Sequence, residues 1–354
     1  MVMYYLNSKL INLERIFDQN ERSSFLRLDL NENPGGLPKE IVDKALSEIT
    51  PELVAEYPET KHFTDVLAEH LGAKPENICL TNGSAEGIRY IIEAFTSEGG
   101  RVVGVVPSYF MFQVYSEMYG REFVKVPYEN DLRMDINKII AEMTDETQLL
   151  VLLNPNNPMG NTYTDEEVEK LLDAAREKQI TVLIDEAYHY FYPKTFIEHA
   201  LNGEHIFVTR TFSKLFSMAG CRLGYVVGWA DGVKMVQKLT TPHNTNVFAL
   251  KIAETILTTP GVLDKLIADF NEGRNYLTDW LDEIGYKHKG DAGNFIFVQP
   301  KTDAATVVAR MKDEKKILIK NYPGVGKLGD CLRISIGAKS YMEQFTKALA
   351  EIDK

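Results

Sequence analysis

The sequence lacks the features that mark several common classes of protein. It has only three cysteines, Cys79, Cys221 and Cys331, which are far apart and form no CxxC pair. Their spacing argues against a disulfide scaffold or a zinc knuckle and indicates a reducing compartment. No apolar run approaches the length needed to cross a bilayer. The first residues also lack the basic segment, apolar core and cleavage site of a secretory signal. We therefore predict a cytoplasmic protein with no membrane partner.

Basic charge and nucleotide-binding glycines are also scarce. Acidic residues outnumber basic ones by 51 to 39, which gives a formal net charge of −12. This argues against a nucleic-acid partner, because phosphate backbones bind clustered lysine and arginine. The chain has neither a GxGxxG fingerprint nor a P-loop, and its histidines show no HExxH spacing, so neither a dinucleotide nor a metal is indicated. A local basic pocket for a small phosphorylated cofactor remains compatible with the acidic total.

What the sequence does contain is a regular alternation of short apolar runs and helical patterns. Several runs are apolar without alternation, as in strands that are covered on both faces. Helical patterns separate most of them, and Asp165–Lys178 is one example, with Thr164 as its N-cap. The runs lie at 78–80, 101–106, 122–126, 148–153, 181–184, 205–209 and 223–228. This alternation predicts an α/β fold with a mostly parallel seven-stranded sheet between helices.

The pattern changes after Gly228. A helix-rich stretch runs from about Val233 to Ile284, and an α+β segment follows it. The strands predicted in that segment lie near 295–298, 317–320 and 331–336. The length suits two domains, and the lack of a Gly/Ser linker predicts a tight interface between them. We assign 46–255 to a large domain and 1–45 with 256–354 to a small one, in which the N-terminal segment packs against the C-terminal part.

Polar residues follow the predicted strands at their carboxyl ends, where open α/β sheets bind ligands. After the first strand, TNGSAEG (81–87) opens a helix whose free N–H groups suit a phosphate. An ordinary cap with Ser84 as the capping residue is the simpler alternative. After the fourth strand, NPNNPMG (154–160) forms a rigid turn that can hold an asparagine against a ligand. Asp185 follows the fifth strand, either as a cap or solvated charge or as the partner of a protonated ring nitrogen.

Lys214 has the most distinctive surroundings of these polar residues. An isolated lysine is usually a solvated surface charge. Lys214 instead follows the hydroxyl residues Thr211 and Ser213, and Arg222 stands eight residues later beside a glycine-rich turn. This grouping supplies an amine nucleophile and a clamp for a phosphate in one place.

Four motifs together resemble fold-type I pyridoxal-5′-phosphate (PLP) enzymes of the class I/II aminotransferases, and most of all their histidinol-phosphate aminotransferase branch. The motifs are LDLNENPGG (28–36), NPNNPMG (154–160), DEAY (185–188) and TFSKLFSMAGCRLGY (211–225). They occur in the order expected of the family, and the resemblance spans about Asp29 to Arg333. It implies the PLP-transferase fold, a PLP-dependent transaminase and a homodimer with shared active sites.

The resemblance implies a role for each matching residue. Lys214 would bind PLP covalently and later carry the proton that moves at the substrate's Cα. Asp185 would pair with the ring nitrogen, Asn157 and Tyr188 would bond the ring oxygen, and Tyr109 would stack on the ring. The residues implied to hold the cofactor phosphate are Ser84, Ala85, Ser213, Arg222 and, from the partner subunit, Tyr57. The residues implied to bind substrate are Asn157, Lys320 and, as a bidentate fork for an anion, Arg333.

The chain departs from the family's pattern in the region that meets the substrate. The Pro-Tyr-x-Pro-Gly-like segment is absent before Asp29, where the aromatic residues that can replace it are Tyr4, Tyr5 and Phe17. The arginine of the family's ILVR strand is Lys320 here, which keeps the charge but loses the fork. The acid that often follows the Gly83-Ser84 pair is Ala85.

The sequence therefore predicts the transfer of an amino group from an amino acid or amino-alcohol phosphate, such as a histidinol phosphate-like donor, to a 2-oxo acid such as 2-oxoglutarate. Decarboxylation of the threonine-phosphate type is the alternative, because both reactions cleave a bond at Cα and the motifs do not settle which one. A non-catalytic PLP-binding regulator is disfavoured, since this acidic chain has no spare segment for a DNA-binding module. A Rossmann oxidoreductase is disfavoured by the missing glycine fingerprint.

Overall fold

A computed structural model describes residues 7–11, 21–290 and 292–354. The strands in these ranges are β1 (Leu26–Arg27), β2 (Ile78–Thr81), β3 (Arg101–Val106), β4 (Glu122–Pro127), β5 (Thr147–Leu153), β6 (Thr181–Asp185), β7 (Ile206–Thr211), β8 (Gly224–Gly228), β9 (His288–Lys289), β10 (Phe295–Val298), β11 (Ile317–Leu318), β12 (Lys320–Val325) and β13 (Gly329–Ser335). The helices are α1 (Ser8–Ile11), α2 (Lys39–Ser47), α3 (Pro51–Ala55), α4 (Lys61–Leu71), α5 (Ser84–Phe95), α6 (Met111–Met118), α7 (Ile136–Glu142), α8 (Asp165–Glu177), α9 (Ile197–Asn202), α10 (Ala230–Gln237), α11 (Val247–Thr258), α12 (Val262–Ile284), α13 (Ala304–Lys315) and α14 (Lys339–Ile352). None of the described helices is both long and apolar enough to cross a bilayer.

The main sheet has seven strands in the order β2-β8-β7-β6-β5-β3-β4. The neighbours from β7 to β4 are parallel, whereas β8 runs antiparallel to both β2 and β7. Alternate residues of β5 pack into different apolar cores, with Leu150 and Leu152 in one and Val151 and Leu153 in the other. Both faces of the sheet are thus buried, which explains why the strands read as continuous apolar runs. The predicted mostly parallel seven-stranded sheet is confirmed.

Two helices of the large sheet begin where local chemistry dictates. Thr164 caps α8, because its Oγ1 accepts from Glu167 N at 3.2 Å while the Glu167 carboxylate accepts from Thr164 N at 2.9 Å. This N-cap was predicted, and the helix ends one residue before the predicted Lys178. The helix α5 differs from the simpler sequence interpretation. Its N-cap is Gly83, with φ of 82°, and Ser84 is the first helical residue, so Ser84 is not the capping residue.

The C-terminal part contains a four-stranded antiparallel sheet in the order β12-β13-β10-β9. The strand predicted at 317–320 is two strands in the structure. β11 pairs with β1, β12 pairs with β13, and Ile319 lies where the chain passes from one sheet to the other. The pairing of β1 with β11 attaches the described part of the N-terminal segment to the C-terminal part. The division into domains at 46–255, with 1–45 and 256–354 as the small domain, stays a prediction.

Candidate active site

A cavity of about 500 Å³ lies at the carboxyl ends of β5, β6 and β7, between the main sheet and the β12–β13 hairpin. Its volume suits a cofactor together with a small substrate. Of the twelve residues predicted to be functional, eleven line it: Ser84, Ala85, Tyr109, Asn157, Asp185, Tyr188, Ser213, Lys214, Lys320, Arg222 and Arg333. The structure therefore brings together side chains that come from both halves of the sequence.

Lys214 lies in the loop between β7 and β8, with its amine in the cavity. Nζ donates a hydrogen bond to Leu30 O at 3.0 Å. Burial and the nearby charge of Arg333 together lower the pKa of the Lys214 amine to about 8, although Glu32 opposes the shift. A fraction of about one in ten of the amine is then neutral at pH 7, which makes it available as a nucleophile or base.

Asp185 ends β6 and is 2% exposed. Its Oδ1 accepts hydrogen bonds from Thr209 Oγ1 and from Ala187 N, both at 3.1 Å. Burial raises the pKa of the Asp185 carboxyl to about 7, and these two hydrogen bonds only partly offset the shift. A positively charged, protonated group in the cavity would therefore stabilise the ionised form of Asp185 strongly.

The beginning of α5 and the neighbouring loop form a cradle of donors. The first N–H groups of the helix, including those of Ser84 and Ala85, have no intrahelical partner and carry the positive end of the helix dipole. A Cβ on Gly83 would lie 2.6 Å from Arg222 Nη2, and a Cβ on Gly224 would lie 2.4 Å from Ser84 N. These glycines therefore permit a close approach of the guanidinium and the helix backbone. Arg222 Nη1 also lies 3.3 Å from Ser213 Oγ, to which it donates, and the cradle suits a phosphate.

Two cations, Arg333 and Lys320, line the cavity from the β12–β13 hairpin, which we call the cation end of the cavity. Arg333, 4% exposed, donates from Nη2 to Asp29 O at 2.6 Å and from Nη1 to Asn157 Oδ1 at 2.9 Å. Its Nε is buried and has no hydrogen-bond partner among the residues that the structure describes. Lys320 is the cross-strand neighbour of Arg333 in the β12–β13 register, so the two side chains lie on one face of the hairpin. Two neighbouring cations facing a cavity favour an anionic ligand group.

The prediction from sequence missed the wall that residues 30–32 provide. Asn31 is 1% exposed and donates from Nδ2 to the Tyr188 hydroxyl oxygen at 3.0 Å. Burial raises the pKa of that tyrosine to about 12. Glu32 lines the cavity and is held by Arg22 at 2.9 Å. Asn31 lies within LDLNENPGG, so the motif pointed to the segment, but nothing local in the sequence assigns a contact to this residue.

The remaining predicted residues have different positions. Tyr109 lies in the cavity wall, with its ring edge-on to Phe112 at 5.6 Å. Tyr57 does not line the cavity; it is 78% exposed and stacks on His243 with ring centres 4.5 Å apart. His189 lies outside the cavity lining, with Nδ1 3.1 Å from Lys194 O, and burial lowers its pKa to about 4. Tyr4, Tyr5 and Phe17 lie outside the described residues.

Comparisons with known proteins agree on one family. The family described as aminotransferase class I and II matches residues 23–352. The histidinol-phosphate aminotransferase of Caldanaerobacter subterraneus subsp. tengcongensis is 31% identical over 332 residues, which cover 92% of each chain. Histidinol-phosphate aminotransferase 2 of Burkholderia pseudomallei is 32% identical over 335 residues, or 93% of each chain.

A crystal structure supports the same fold. The histidinol-phosphate aminotransferase of Sinorhizobium meliloti in complex with pyridoxal-5′-phosphate matches with a TM-score of 0.88 at 24% identity, covering 99% of this chain and 98% of that one. Together these findings confirm the predicted fold class and enzyme class. The chain belongs to the aminotransferase class I and II family, the pyridoxal-phosphate enzymes that its motifs indicate.

Proposed function

We propose that this enzyme transfers an amino group from a donor with an anionic end, such as an amino-alcohol phosphate like histidinol phosphate, to a 2-oxo acid such as 2-oxoglutarate. The observation that carries the proposal is the position of Lys214. Its half-buried amine, with a pKa of about 8, shares one cavity with the buried Asp185 carboxyl and the phosphate cradle at α5. The names of the two relatives that are about 30% identical support a phosphorylated donor.

The residues around the cavity fit PLP in both shape and charge. The cradle at α5 suits its phosphate, and the glycines there leave no room for a Cβ. Asp185 suits the ring nitrogen, because a protonated nitrogen stabilises this costly buried carboxylate. The residues that would hold the cofactor are Ser84, Ala85, Tyr109, Asn157, Asp185, Tyr188, Ser213, Lys214 and Arg222, with Tyr57 of the partner subunit. When bound, PLP supplies an aldehyde that condenses with amines and a conjugated ring that accepts electron density from Cα.

The chain's own residues perform three tasks in this proposal. Lys214 Nζ takes a proton from the substrate carbon that bears the amine and would deliver it to the carbon of the PLP aldehyde group, which a neutral amine with a pKa near the working pH can do. Asp185 holds a proton at the ring nitrogen. Tyr188 and Asn157 orient the ring by donating to its oxygen, and the buried walls exclude bulk water from the reacting atoms.

Arg333 and Lys320 are the proposed anchors for the donor's anionic end. Arg333 is already held by two acceptors, Asp29 O and Asn157 Oδ1, and its planar group is therefore fixed before substrate arrives. A fixed guanidinium loses little freedom when it binds an anion. Lys320 adds a second positive charge on the same face, which suits a phosphate better than a single carboxylate.

We expect incubation with an amino-alcohol phosphate and 2-oxoglutarate to yield glutamate and the matching carbonyl product, with no release of carbon dioxide. Mass spectrometry with ¹⁵N-labelled donor would follow the nitrogen, and a ¹⁴C-carboxyl-labelled amino acid such as threonine phosphate would report decarboxylation. A histidinol phosphate-like donor and its unphosphorylated alcohol form a matched pair. If ¹⁴C from the carboxyl-labelled donor appears as carbon dioxide and no ¹⁵N appears in glutamate, the decarboxylase alternative is correct instead.

We also propose that the enzyme works as a homodimer in which each site uses Tyr57 of the partner subunit. Support comes from the exposure of Tyr57, which lies away from its own chain's cavity, and from the frequency of two-fold assemblies. A mixture of Tyr57→Phe and Lys214→Ala subunits should regain activity, because each mixed dimer then carries one intact site.

The recovered fraction is predictable, which makes the mixing experiment decisive. Random pairing makes half of the dimers mixed, so roughly a quarter of all sites should be normal. Each variant alone, refolded in the same way, is the control. Additive activity of the two variants, or full activity in a species that sediments as a monomer, would exclude shared sites.

A further inference from the structure

A short chain of hydrogen bonds joins the cation end of the cavity to the residues proposed to hold the cofactor ring. Arg333 Nη1 donates to Asn157 Oδ1 at 2.9 Å. Asn31 Nδ2 also donates to Asn157 Oδ1, at 3.5 Å, and to the Tyr188 hydroxyl oxygen at 3.0 Å. Asn31 therefore contacts both side chains that are proposed to face the ring oxygen.

Arg333 determines which group donates in each of these hydrogen bonds, because a guanidinium can only donate. Asn157 must turn its oxygen toward Arg333, and the same oxygen then requires a donor from Asn31. The amide nitrogen of Asn31 is thereby directed at both neighbours, and the Tyr188 oxygen is an acceptor on this side. The Asn157 amide hydrogens and the Tyr188 hydroxyl hydrogen are left for the cavity.

Asn31 is locked in place from its other side. Its backbone N donates to Ser335 Oγ at 2.8 Å, and Ser335 Oγ lies 3.3 Å from Asn31 Oδ1, to which it donates. Its carbonyl accepts from Asn294 Nδ2 at 2.9 Å. The φ of Asn31 is 57°, in the left-handed region that asparagine tolerates better than most residues. A buried residue with this many fixed contacts cannot turn its amide over.

We propose that Asn31 is a positioning residue, which turns the hydroxyl of Tyr188 and the amide of Asn157 toward the ring oxygen of the cofactor. The inference rests on the proposed function, since it needs PLP in this cavity. A hydroxyl whose oxygen accepts a hydrogen bond becomes a stronger donor itself. Donors to the ring oxygen stabilise its anionic form and therefore lower the pH at which the bound cofactor loses its proton.

The test is a pH titration of the visible absorbance of bound PLP in Asn31→Ala and Asn31→Asp. Losing one donated hydrogen bond should move the midpoint upward by about 0.5–1 pH unit and raise the dissociation constant for PLP by about two- to tenfold. Aspartate keeps the size of asparagine, the tolerance for positive φ and an acceptor for Ser335, but it has no N–H to donate. It should therefore shift the midpoint at least as far as alanine does, and it carries the test if Asn31→Ala does not fold.

Two further variants separate positioning from general disturbance. Ser335→Ala loosens Asn31 without removing its amide, so its midpoint should move clearly less than that of Asn31→Ala. In a Tyr188→Phe background, Asn31→Ala should shift the titration midpoint less than it does in the wild type, because part of its effect depends on the Tyr188 hydroxyl that is then missing. The inference is overturned if both Asn31 variants titrate like the wild type, or if Ser335→Ala shifts as far as Asn31→Ala. A wild-type protein that takes up no PLP would instead overturn the proposed function.

Discussion

Lys214→Ala should lose nearly all turnover, by roughly 10²–10⁴-fold or more, because it removes both the nucleophile and the base. The fold should survive, since among the described residues the amine makes a single hydrogen bond, to Leu30 O, and its desolvation is a cost rather than a gain. Steady-state assays measure the first effect, and circular dichroism with thermal unfolding measures the second.

Lys214→Arg is the matched control for charge. Arginine keeps a cation that can donate to Leu30 O, but it cannot add to an aldehyde. It should be as inactive as Lys214→Ala. Borohydride reduction of the wild type with PLP should mark the peptide that contains Lys214. A label on another lysine would contradict the assignment, as would turnover by Lys214→Arg at the wild-type rate.

The lowered pKa of Lys214 also predicts how capture of PLP by the cofactor-free protein depends on pH. The amine reacts in its neutral form, whose fraction rises about tenfold per pH unit below the pKa and levels off above it. With a pKa of about 8, the capture rate should rise from pH 6 to 8 and then change little. A rate that keeps rising toward pH 10 would mean that the amine has an ordinary lysine pKa.

Arg333→Met should lower kcat/KM for every anionic donor by about thirty- to a thousandfold, the equivalent of ~2–4 kcal/mol. The effect is large because the guanidinium is buried and is held by Asp29 O and Asn157 Oδ1. A cation on the protein surface cannot take over its contact with the donor. The variant should still bind PLP, whose phosphate lies in the cradle at α5 in this proposal. A donor screen with and without the phosphate group measures the loss.

Two further variants separate the contributions of Arg333 and Lys320 to substrate binding. Arg333→Lys keeps the charge but loses the planar fork, so it should fall between wild type and Arg333→Met. Lys320→Met should cost a phosphorylated donor much more than a donor with one carboxylate, because only the phosphate needs the second cation. Equal rates for wild type, Arg333→Met and Lys320→Met would contradict this account of the substrate pocket.

The sequence predicted the elements of the main sheet well, because its strands are buried on both faces and their apolar runs are unmistakable. It did not predict that β8 is antiparallel. The run at 223–228 is as apolar as its neighbours, and strand direction depends on the path of the connection 212–223 rather than on composition. The break at Ile319 was missed for a related reason, since the change of sheet is decided by distant partners, β1 and β13.

The site was predictable to the extent that its residues lie in local motifs. Eleven of the proposed residues do line one cavity. Asn31 and Glu32 were not predicted as site residues, although they lie within LDLNENPGG. Their partners, Tyr188 and Arg22, are brought to them by folding and are not adjacent in the sequence. The Ser84 cap was wrong because a glycine with positive φ can take the N-cap position and leave the serine inside the helix.

The contact between Asn31 and Ser335 has a consequence for the order of folding. The two residues are 304 positions apart, and Arg333 meets Asp29 O over the same separation. Contacts this distant form only after the intervening chain has closed a long loop, whose entropy must be offset first. The strands from β2 to β8 can pair while the chain is still being made, but the contacts of Asp29 with Arg333 and of Asn31 with Ser335 cannot form until β13 exists. The site is therefore finished last, and the ability to retain cofactor distinguishes a completed chain from a truncated one.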